Sequence, residues 1–482
     1  MHLIRIKEIE DIFGKLQENG FEAFLVGGCV RDLLLRRQPK DWDIATNALP
    51  ERIQEIFPDS VYENDFGTVA VKTESAEPAL KVVEITTYRS EGTYKDKRHP
   101  DKVVFTKNIK DDLSRRDFTI NAMAKNSEII DPFGGQEDLK KKIIRTVSDP
   151  DTRFNEDALR LMRAVRLAAE LGFSIEKKTA DAVKKNAGLL EMIAKERIRD
   201  EFAKLIMADG AAVGIRQMLD SGLLKYVLPE LIEGVDIGQN KHHIYTVFEH
   251  NVRALDYAVG KNYSLEVRLA SLLHDVGKPR TKKGDGPDST FYNHDMVGAK
   301  MTAVILDRLH FSKKIVEKVA HLVRCHLFYY NVGEVSEAGV RRFLRKVGPE
   351  HVDDLIKVRE ADRIGSGVPK AVPYKLRHLL FMIEKVKKDP IDARMLNIDG
   401  NDVMKLGDLQ PGPKVGQILA VLLEEILDDP TKNNDESLKN RIQELNKMSE
   451  SELKKLAESA KRKKEEFEGG VEEEIKRKYH VN

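Results

Sequence analysis

The sequence predicts an α+β fold, with a mixed α/β region at the N-terminal end and helical segments from there to the C-terminus. Three patterns lead to this prediction. Short apolar runs bounded by glycine and polar turn residues alternate with amphipathic segments as far as about Thr146. From Asp157 onward apolar residues recur at helical spacing and strand signals almost stop. The stretch from Asn433 to the end is rich in Lys and Glu, which indicates a solvated helical tail.

Composition and charge limit the class of protein. The chain has 482 residues, enough for several modules, and its 81 Lys and Arg nearly balance 80 Asp and Glu. Net charge therefore gives no evidence for a nucleic-acid partner. If RNA binds, the positive charge must be concentrated locally on one surface. The two cysteines, Cys29 and Cys325, argue against a disulfide framework and fit a reducing cytoplasm. No signal peptide or membrane-spanning run is evident, so a cytoplasmic location is expected.

The N-terminal region is predicted element by element from apolar periodicity and turn residues. Helices are predicted at residues 3–19 and 30–36, and strands at residues 21–26, 41–45, 69–71 and 81–85. Gly27 and Gly28 stand between the first strand and the helix after it, where a tight turn is expected.

The same glycines and a pair of aspartates suggest a phosphate and metal site. A strand, a Gly-Gly turn and a helix start bring backbone N–H groups such as that of Gly28 close to a phosphate, and Arg31 lies one turn further on. Asp41 and Asp43 are two residues apart on one predicted strand, so both project to one face and form an oxygen site suited to Mg²⁺. Glu84 alternates with apolar neighbours and is expected to face the same metals. Taken singly, the glycines favour a plain turn and the aspartates favour solubilising charges, but their combination favours the metal site.

A second pattern lies on the helix predicted at residues 157–171. Asp157, Arg160 and Arg163 are spaced three apart, with Arg166 one step further, and together they form one drifting helix face. A carboxylate accepts from the exocyclic amino group of cytosine or adenine, and a guanidinium donates to ring acceptors on the same edge. The alternative is an Asp/Arg ladder on a solvated helix.

These stretches resemble the polymerase-beta-type nucleotidyltransferases, in the branch of bacterial tRNA nucleotidyltransferases and poly(A) polymerases. The resemblance rests on GGCVRD at residues 27–32 with DWD at 41–43, RRDFTINA at 115–122, DPFGG at 131–135 and EDALRLMRAVR at 156–166. It implies that Asp157 and Arg160 read the base and that Arg116, Arg163 and Arg166 contact phosphates or ribose. The implied reaction is template-independent addition of CCA to tRNA from CTP and ATP, with pyrophosphate released by a two-metal mechanism. Residues 196–202 resemble the neck that supports the nucleotide pocket, although a charged face over a buried stripe explains each of them as well.

Residues 88–100 are polar and contain glycine, so a mobile loop is expected there. In CCA-adding relatives a similar loop, with an acidic-Gly-x-Tyr pattern, helps the switch from C to A. An enzyme that adds only A would also keep it. The basic signature of bacterial poly(A) polymerases is not seen after the aspartates, which makes poly(A) tailing the less favoured alternative.

A further group of metal-binding residue types lies downstream. His250, His274, Asp275 and Asp362 occur in that order, and LLHDVGKP at residues 272–279 resembles the HD metal-dependent phosphohydrolase superfamily. The resemblance implies a second divalent metal of unknown identity at these four residues. His294, His321 and His326 are additional candidates for a two-metal site. A different class of function stays open, in which the chain is chiefly an HD phosphohydrolase and its head only binds RNA.

The predicted domains are a nucleotidyltransferase head (1–146), a helical neck with the nucleotide-selecting helix (147–232), an HD domain (240–365) and a C-terminal helical tRNA-binding region with a charged tail (375–482). Residues 397–400 and 409–416 resemble the C-terminal tRNA-binding part of bacterial CCA-adding enzymes. Tyr329 and Tyr330 could stack on bases, with core packing as the default. The expected partners are tRNA, CTP and ATP, with no membrane and no protein partner inferred.

Overall fold

The computed structural model describes residues 6–64, 67–91, 103–239, 244–386 and 395–459. The chain forms two compact units. The first unit comprises residues 1–235, 259–265 and 305–312, and the second comprises residues 236–258, 266–304 and 313–482.

The N-terminal part of the first unit is built on a mixed sheet, and most strands of the unit belong to it. The strands are β1 (Ala23–Val26), β2 (Asp43–Thr46), β3 (Ser60–Asn64), β4 (Thr68–Lys72), β5 (Val82–Thr87), β6 (Arg89–Glu91), β7 (Val103–Phe105), β8 (Ala124–Lys125), β9 (Ile129–Ile130), β10 (Ile143–Ile144) and β11 (Ser174–Ile175). Among the described residues, seven of them form one sheet in the order β3-β4-β5-β2-β1-β8-β9. β2 and β5 are parallel, and the other neighbours in this sheet are antiparallel.

Helices make up most of the rest of the described chain. The earlier ones are α1 (Lys7–Glu18), α2 (Gly28–Leu34), α3 (Pro50–Ile56), α4 (Ile109–Ser114), α5 (Gly135–Lys141), α6 (Pro150–Glu156), α7 (Leu159–Leu171), α8 (Lys177–Asn186), α9 (Lys195–Met207), α10 (Ala211–Asp220), α11 (Leu224–Val227) and α12 (Pro229–Ile232). The later ones are α13 (Val247–Gly260), α14 (Leu265–Leu273), α15 (Lys278–Thr281), α16 (His294–Arg308), α17 (Lys313–Cys325), α18 (Glu337–Val347), α19 (Pro349–Gly365), α20 (Tyr374–Val386), α21 (Gly400–Gly407), α22 (Pro413–Asp428) and α23 (Asp435–Lys447). None of the described helices has the length and apolar character needed to span a membrane.

The predicted α+β class, with a mixed head and a helical remainder, is confirmed. The apolar residues that recur at helical spacing in the sequence form the core. In α7, for example, Leu161, Ala164, Val165 and Ala168 are buried along one side of the helix. The C-terminal segment is less solvated than expected, because Leu438, Ile442 and Leu445 of α23 are fully buried. Residues 460–482 lie outside the described chain.

Three local predictions are corrected. β2 begins at Asp43, so Asp41 lies in a bend before the strand and not on it. α7 begins at Leu159, and Asp157 is extended (φ −132°, ψ 106°) because its side chain accepts from the backbone N–H of Leu159 instead of continuing a helix. Residues 89–91 of the expected loop form β6, which pairs with β7, while residues 92–102 lie outside the described chain.

Candidate active site and metal centre

Three carboxylates gather where β2 and β5 begin, and they are named here the head carboxylates: Asp41, Asp43 and Glu84. Asp43 and Glu84 are directly paired in the parallel register, so their side chains project from the same face of the sheet. Val83 and Ile85 on either side of Glu84 are buried, whereas Glu84 is exposed. The Glu84 amide donates to the carbonyl of Trp42, 3.1 Å away, which ties the residue between the two aspartates to the neighbouring strand.

The electrostatics at Asp43 favour a cation. Burial raises the pKa of Asp43, the Arg116 guanidinium lowers it and the nearby Asp41 carboxylate raises it, and the net result is a pKa of about 6. A half-buried carboxylate beside a like charge is relieved by a divalent ion with oxygen ligands. Within the described chain the head carboxylates do not form a group whose oxygens all lie within 4.8 Å, so this site is open and not closed around an ion.

The glycine turn is packed tightly against this site. Gly27 has φ +75°, and a Cβ on it would come within 2.9 Å of Arg116 Nη1 and 3.5 Å of Asp43 Oδ2. The next residue, Gly28, begins α2. Arg31 is only 8% exposed, and it donates to Asp32 and to Asn121 at 2.8 Å. Its expected role at a phosphate therefore stays a prediction.

The two residues expected to read a base are both held by protein partners. Arg197 of α9 donates to both carboxylate oxygens of Asp157, at 3.2 and 2.8 Å. Arg160 donates to Glu156 at 2.6 Å and to the carbonyl of Arg115 at 2.9 Å. The donor and acceptor groups are thus oriented before any nucleotide binds.

Arg163 and Arg166 form ion pairs with acidic side chains of other segments, and their expected contact with phosphate or ribose stays a prediction. Arg163 donates to Asp117 Oδ2 at 2.8 and 2.6 Å, and Arg166 Nε donates to Glu201 at 2.6 Å. Burial alone raises the pKa of Asp117, but the Arg163 and Arg160 guanidiniums lower it to about 2. Glu201 is 4% exposed.

Asp117, Arg197 and Glu201 were therefore missed as site residues. Asp117 belongs to the RRDFTINA stretch, and Arg197 and Glu201 to the neck-like stretch 196–202. For Arg197 and Glu201 the sequence did offer a signal, because their i, i+4 spacing on α9 brings both side chains to one face of the helix. Sequence alone does not tell which helix that face contacts.

The second unit contains a buried cluster that is named here the histidine centre. His250 of α13, His274 and Asp275 just after α14, and Asp362 of α19 converge there. His250 Nε2 lies 2.8 Å from His274 Nε2, 3.1 Å from Asp275 Oδ2 and 3.4 Å from Asp362 Oδ1. All four side chains are buried.

The other carboxylate oxygen of Asp275 faces a second pair of candidate ligands, His294 and His326. Its Oδ1 lies 3.3 Å from His294 Nε2 and 3.6 Å from His326 Nε2. His250, His274 and Asp275 form one candidate metal group, and Asp275, His294 and His326 form another, each with its ligand atoms within 4.8 Å. The geometry therefore fits two adjacent cations that share one carboxylate.

For three of the histidines, the backbone fixes which ring nitrogen faces the centre. The Nδ1 atoms of His274, His294 and His326 lie 2.9, 2.6 and 2.6 Å from carbonyls three residues earlier. An Nδ1–H that donates to a carbonyl leaves Nε2 as the lone-pair ligand, which is the arrangement of metal-binding histidines. His321 does not join them, because its Nε2 lies 2.6 Å from the carbonyl of Val347.

Comparison with known families covers much of the chain. Residues 23–145 match the poly A polymerase head domain, residues 172–234 the probable RNA and SrmB-binding site of polymerase A, and residues 247–365 the HD domain.

Individual relatives extend the similarity to nearly the full length. The CCA-adding enzyme of Bacillus cytotoxicus is 33% identical over 455 residues, which is 92% of this chain and 99% of that relative. The A-adding tRNA nucleotidyltransferase of Deinococcus radiodurans is 38% identical over 340 residues, 67% of this chain and 76% of that relative. A crystal structure of the Bacillus stearothermophilus CCA-adding enzyme in complex with CTP superposes with a TM-score of 0.71 and 28% identity, covering 92% of this chain and 98% of that one.

Proposed function

The chain belongs to the CCA-adding enzyme family, and on this premise we propose that it adds the terminal C, C and A to tRNA from CTP and ATP. The observation that carries the proposal is the head site, in which the head carboxylates stand beside the glycine turn and Arg116. The 3′-hydroxyl of tRNA attacks the α-phosphate of the nucleotide. The new O3′–P bond forms as the bond to the β-phosphate oxygen breaks, and pyrophosphate leaves.

Asp41, Asp43 and Glu84 are proposed to hold Mg²⁺, which when bound supplies charge neutralisation at the triphosphate and the attacking oxygen. Arg116 is proposed to contact the phosphates, because it reaches the glycine turn and the side of Asp43. Gly28 and Arg31 complete the proposed nucleotide site, where Gly28 allows close approach of the backbone. The contribution of the chain is positioning and electrostatic stabilisation.

Asp157 and Arg160 are proposed to choose the base. The carboxylate accepts from the amino group that cytosine and adenine share, and the guanidinium donates to the adjacent ring nitrogen. Guanine and uracil present the opposite pattern at this edge and are rejected. Because Arg163 and Arg166 are paired with Asp117 and Glu201, we assign them to positioning α7 and not to direct contact with phosphate.

A second candidate is addition of A alone. It is favoured by the 38% identity to the A-adding enzyme of Deinococcus radiodurans. The loop that would bear on this choice falls largely at residues 92–102, outside the described chain.

The histidine centre is proposed to bind divalent metal at His250, His274, Asp275 and Asp362, with His294 and His326 completing a second position. The support is its burial and the orientation of its Nε2 atoms. A phosphohydrolase activity of this centre remains the alternative function of a different class. The cytoplasmic location and the domain boundaries stay predictions.

The deciding experiment supplies tRNA transcripts that end at the discriminator base, at C or at CC, with CTP and ATP singly and together. Growth of all three to CCA followed by a stop is the expected result. Extension of only the CC-ended transcript establishes the A-adding candidate, and a long A tail contradicts both. A parallel phosphatase assay with His274→Ala as control tests the histidine centre separately.

A further inference from the structure

The carboxylate of Asp112, in α4, is fully buried. Asp112 is 0% exposed, and a charged group in the interior costs solvation free energy unless it is paired. Two guanidiniums pair with it, those of the consecutive residues Arg115 and Arg116. Burial alone would raise the pKa of Asp112, but the two guanidiniums lower it below its ordinary value of 3.8. The carboxylate is therefore ionised at neutral pH.

The two oxygens of Asp112 bind different arginines. Oδ1 accepts from Nε and Nη2 of Arg115, at 3.0 and 2.7 Å, and these two hydrogen bonds fix the orientation of the carboxylate. Oδ2 accepts from Nη2 of Arg116 at 3.2 Å. Arg115 thus anchors the carboxylate, and the second oxygen is left to hold Arg116.

Most hydrogen-bond donors of Arg116 are not used inside the protein. Within the described ranges its side chain donates to Asp112 alone, and its Nε is buried without a partner. Its Nη1 lies against the glycine turn, where a Cβ on Gly27 would come within 2.9 Å of it. A buried N–H without a partner costs free energy, which an acceptor oxygen of a ligand relieves. The guanidinium is therefore held on one side by Asp112 and presents donors to the head site on the other.

Asp43 is a second acid that attracts Arg116. The Arg116 guanidinium lowers the pKa of Asp43, which shows that the two charges act on each other. An Arg116 released from Asp112 would turn toward Asp43 and neutralise a carboxylate that is proposed to hold Mg²⁺. An ion pair that only stabilised α4 would not need Arg116, because Arg115 already pairs Asp112 and Arg116 lies beyond Ser114, the last residue of the helix.

We propose that Asp112 is a positioning residue of the nucleotide site, which holds the Arg116 guanidinium toward the triphosphate and away from Asp43. The buried carboxylate does not touch the nucleotide and acts through Arg116. This inference rests on the proposed function, which places the nucleotide phosphates at Arg116.

The test measures equilibrium binding of inorganic tripolyphosphate and of CTP to the full-length protein, with Mg²⁺ and without tRNA. Asp112→Asn is expected to bind both ligands about tenfold more weakly, since a charge-assisted hydrogen bond to phosphate is worth roughly this much. The matched control is Asp111→Asn, because Asp111 accepts from the Thr106 hydroxyl and not from an arginine. It is expected to bind like the wild type. A loss for CTP without a loss for tripolyphosphate would overturn the proposal, because it would place the effect at the base.

A double-mutant cycle separates positioning from a merely structural role. If Asp112 acts through Arg116, adding Asp112→Asn to Arg116→Ala should weaken tripolyphosphate binding by less than about twofold more. Two losses that multiply in the double variant would show that Asp112 acts independently of Arg116 and would overturn the proposal.

Chemical rescue provides a test that does not need the single variant Asp112→Asn to fold. Millimolar guanidinium chloride, compared with sodium chloride at the same concentration, is expected to restore tripolyphosphate binding to Arg116→Ala, because the carboxylate of Asp112 can hold the free cation. The double variant Arg116→Ala/Asp112→Asn loses one charge of each sign and is expected to show no rescue. Circular dichroism melts check that both variants are folded. Equal rescue with and without the carboxylate would overturn the proposal.

The binding measurements also distinguish this inference from the proposed function. If the wild type adds no nucleotides but its tripolyphosphate binding depends on Asp112 through Arg116, the proposed function fails and this inference stands. If the wild type adds CCA and the losses in the cycle multiply, the function stands and this inference fails.

Discussion

The head site and the histidine centre are the two proposed metal sites and both contain carboxylates, but they are built in opposite ways. The head carboxylates are partly exposed and do not all approach within 4.8 Å, whereas the ligand atoms of the histidine centre lie within that distance in two buried groups. In the head, Arg116 stands near Asp43, while in the centre the carbonyls of Ser271, Phe291 and Val323 orient the rings. The open site is suited to receive a metal together with a substrate that brings its own phosphate oxygens, and the closed site is suited to hold a resident ion.

The difference also separates the effects of mutation. Substitution of a head-site residue is expected to change the rate of nucleotide addition. Substitution of a residue in the histidine centre is expected to change the metal content of the purified protein. Four predictions test this contrast, in descending order of expected effect.

Asp43→Ala is expected to lower the rate of C addition by about 10³-fold or more, because it removes a carboxylate that is proposed to hold Mg²⁺ at the reacting phosphate. Primer-extension rates on a tRNA that ends at the discriminator base measure the effect. Asp59→Ala, an exposed acid in the same region, is the matched control and should transfer at the wild-type rate. Full activity of Asp43→Ala would remove the head site from the mechanism.

Asp275→Asn is expected to reduce the divalent metal that copurifies with the chain to background, because both ligand groups share this carboxylate. His294→Ala should lose only part of the metal, and His321→Ala, whose ring contacts the carbonyl of Val347, should lose none. Metal per chain is measured by mass spectrometry after desalting, with circular dichroism to check folding. Equal losses in Asp275→Asn and His321→Ala would contradict the shared-carboxylate geometry.

The pair Asp117–Arg163 is expected to contribute about 2 kcal/mol of pH-dependent stability, because the pKa of Asp117 falls from 3.8 to about 2 on folding. A lowered folded-state pKa stabilises the protein above about pH 4, and the contribution is lost as the pH falls toward 2. Urea unfolding of the wild type and of Asp117→Asn, compared at pH 7 and pH 3, measures it. A difference in free energy that does not shrink at pH 3 would show that the carboxylate is not paired in solution.

Arg197→Ala is expected to raise the KM for CTP about tenfold with little change in kcat, since the loss of a half-buried ion pair frees Asp157 to rotate. Discrimination against UTP should fall at the same time. Arg199→Ala lies on the same helix but donates to Asp200 and to the carbonyl of His310, so its KM and base preference should not change. Steady-state kinetics with all four nucleotides decide between a positioning role and a merely structural one, which would leave discrimination intact.

Sequence reasoning was strongest where chemistry is local. Alternation along one strand predicted that Glu84 faces the same site as Asp43, and the structure pairs the two residues. The order of the downstream histidines and aspartates, with the HD resemblance, predicted a cluster that the structure brings together. Contacts that depend on packing between distant segments could not be predicted from the sequence. Nothing in the spacing of α7 predicts that Arg163 meets Asp117 or that Arg166 meets Glu201, because those partners come from elsewhere in the chain. Two-residue strands such as β8 and β10 also escaped prediction, since so short a segment carries no periodicity.

Arg197 and Glu201 stand one turn apart on α9, and between them they hold Asp157 and Arg166. A small rotation of this single helix would therefore move both the carboxylate that is proposed to read the base and the ion pair that holds α7 in place. If Asp157 and Arg160 read the base as proposed, nucleotide preference can change through substitutions in α9 while both residues are retained. Two enzymes with the same reading pair need not accept the same nucleotide, and inheritance of the pair alone is a poor guide to which one is added.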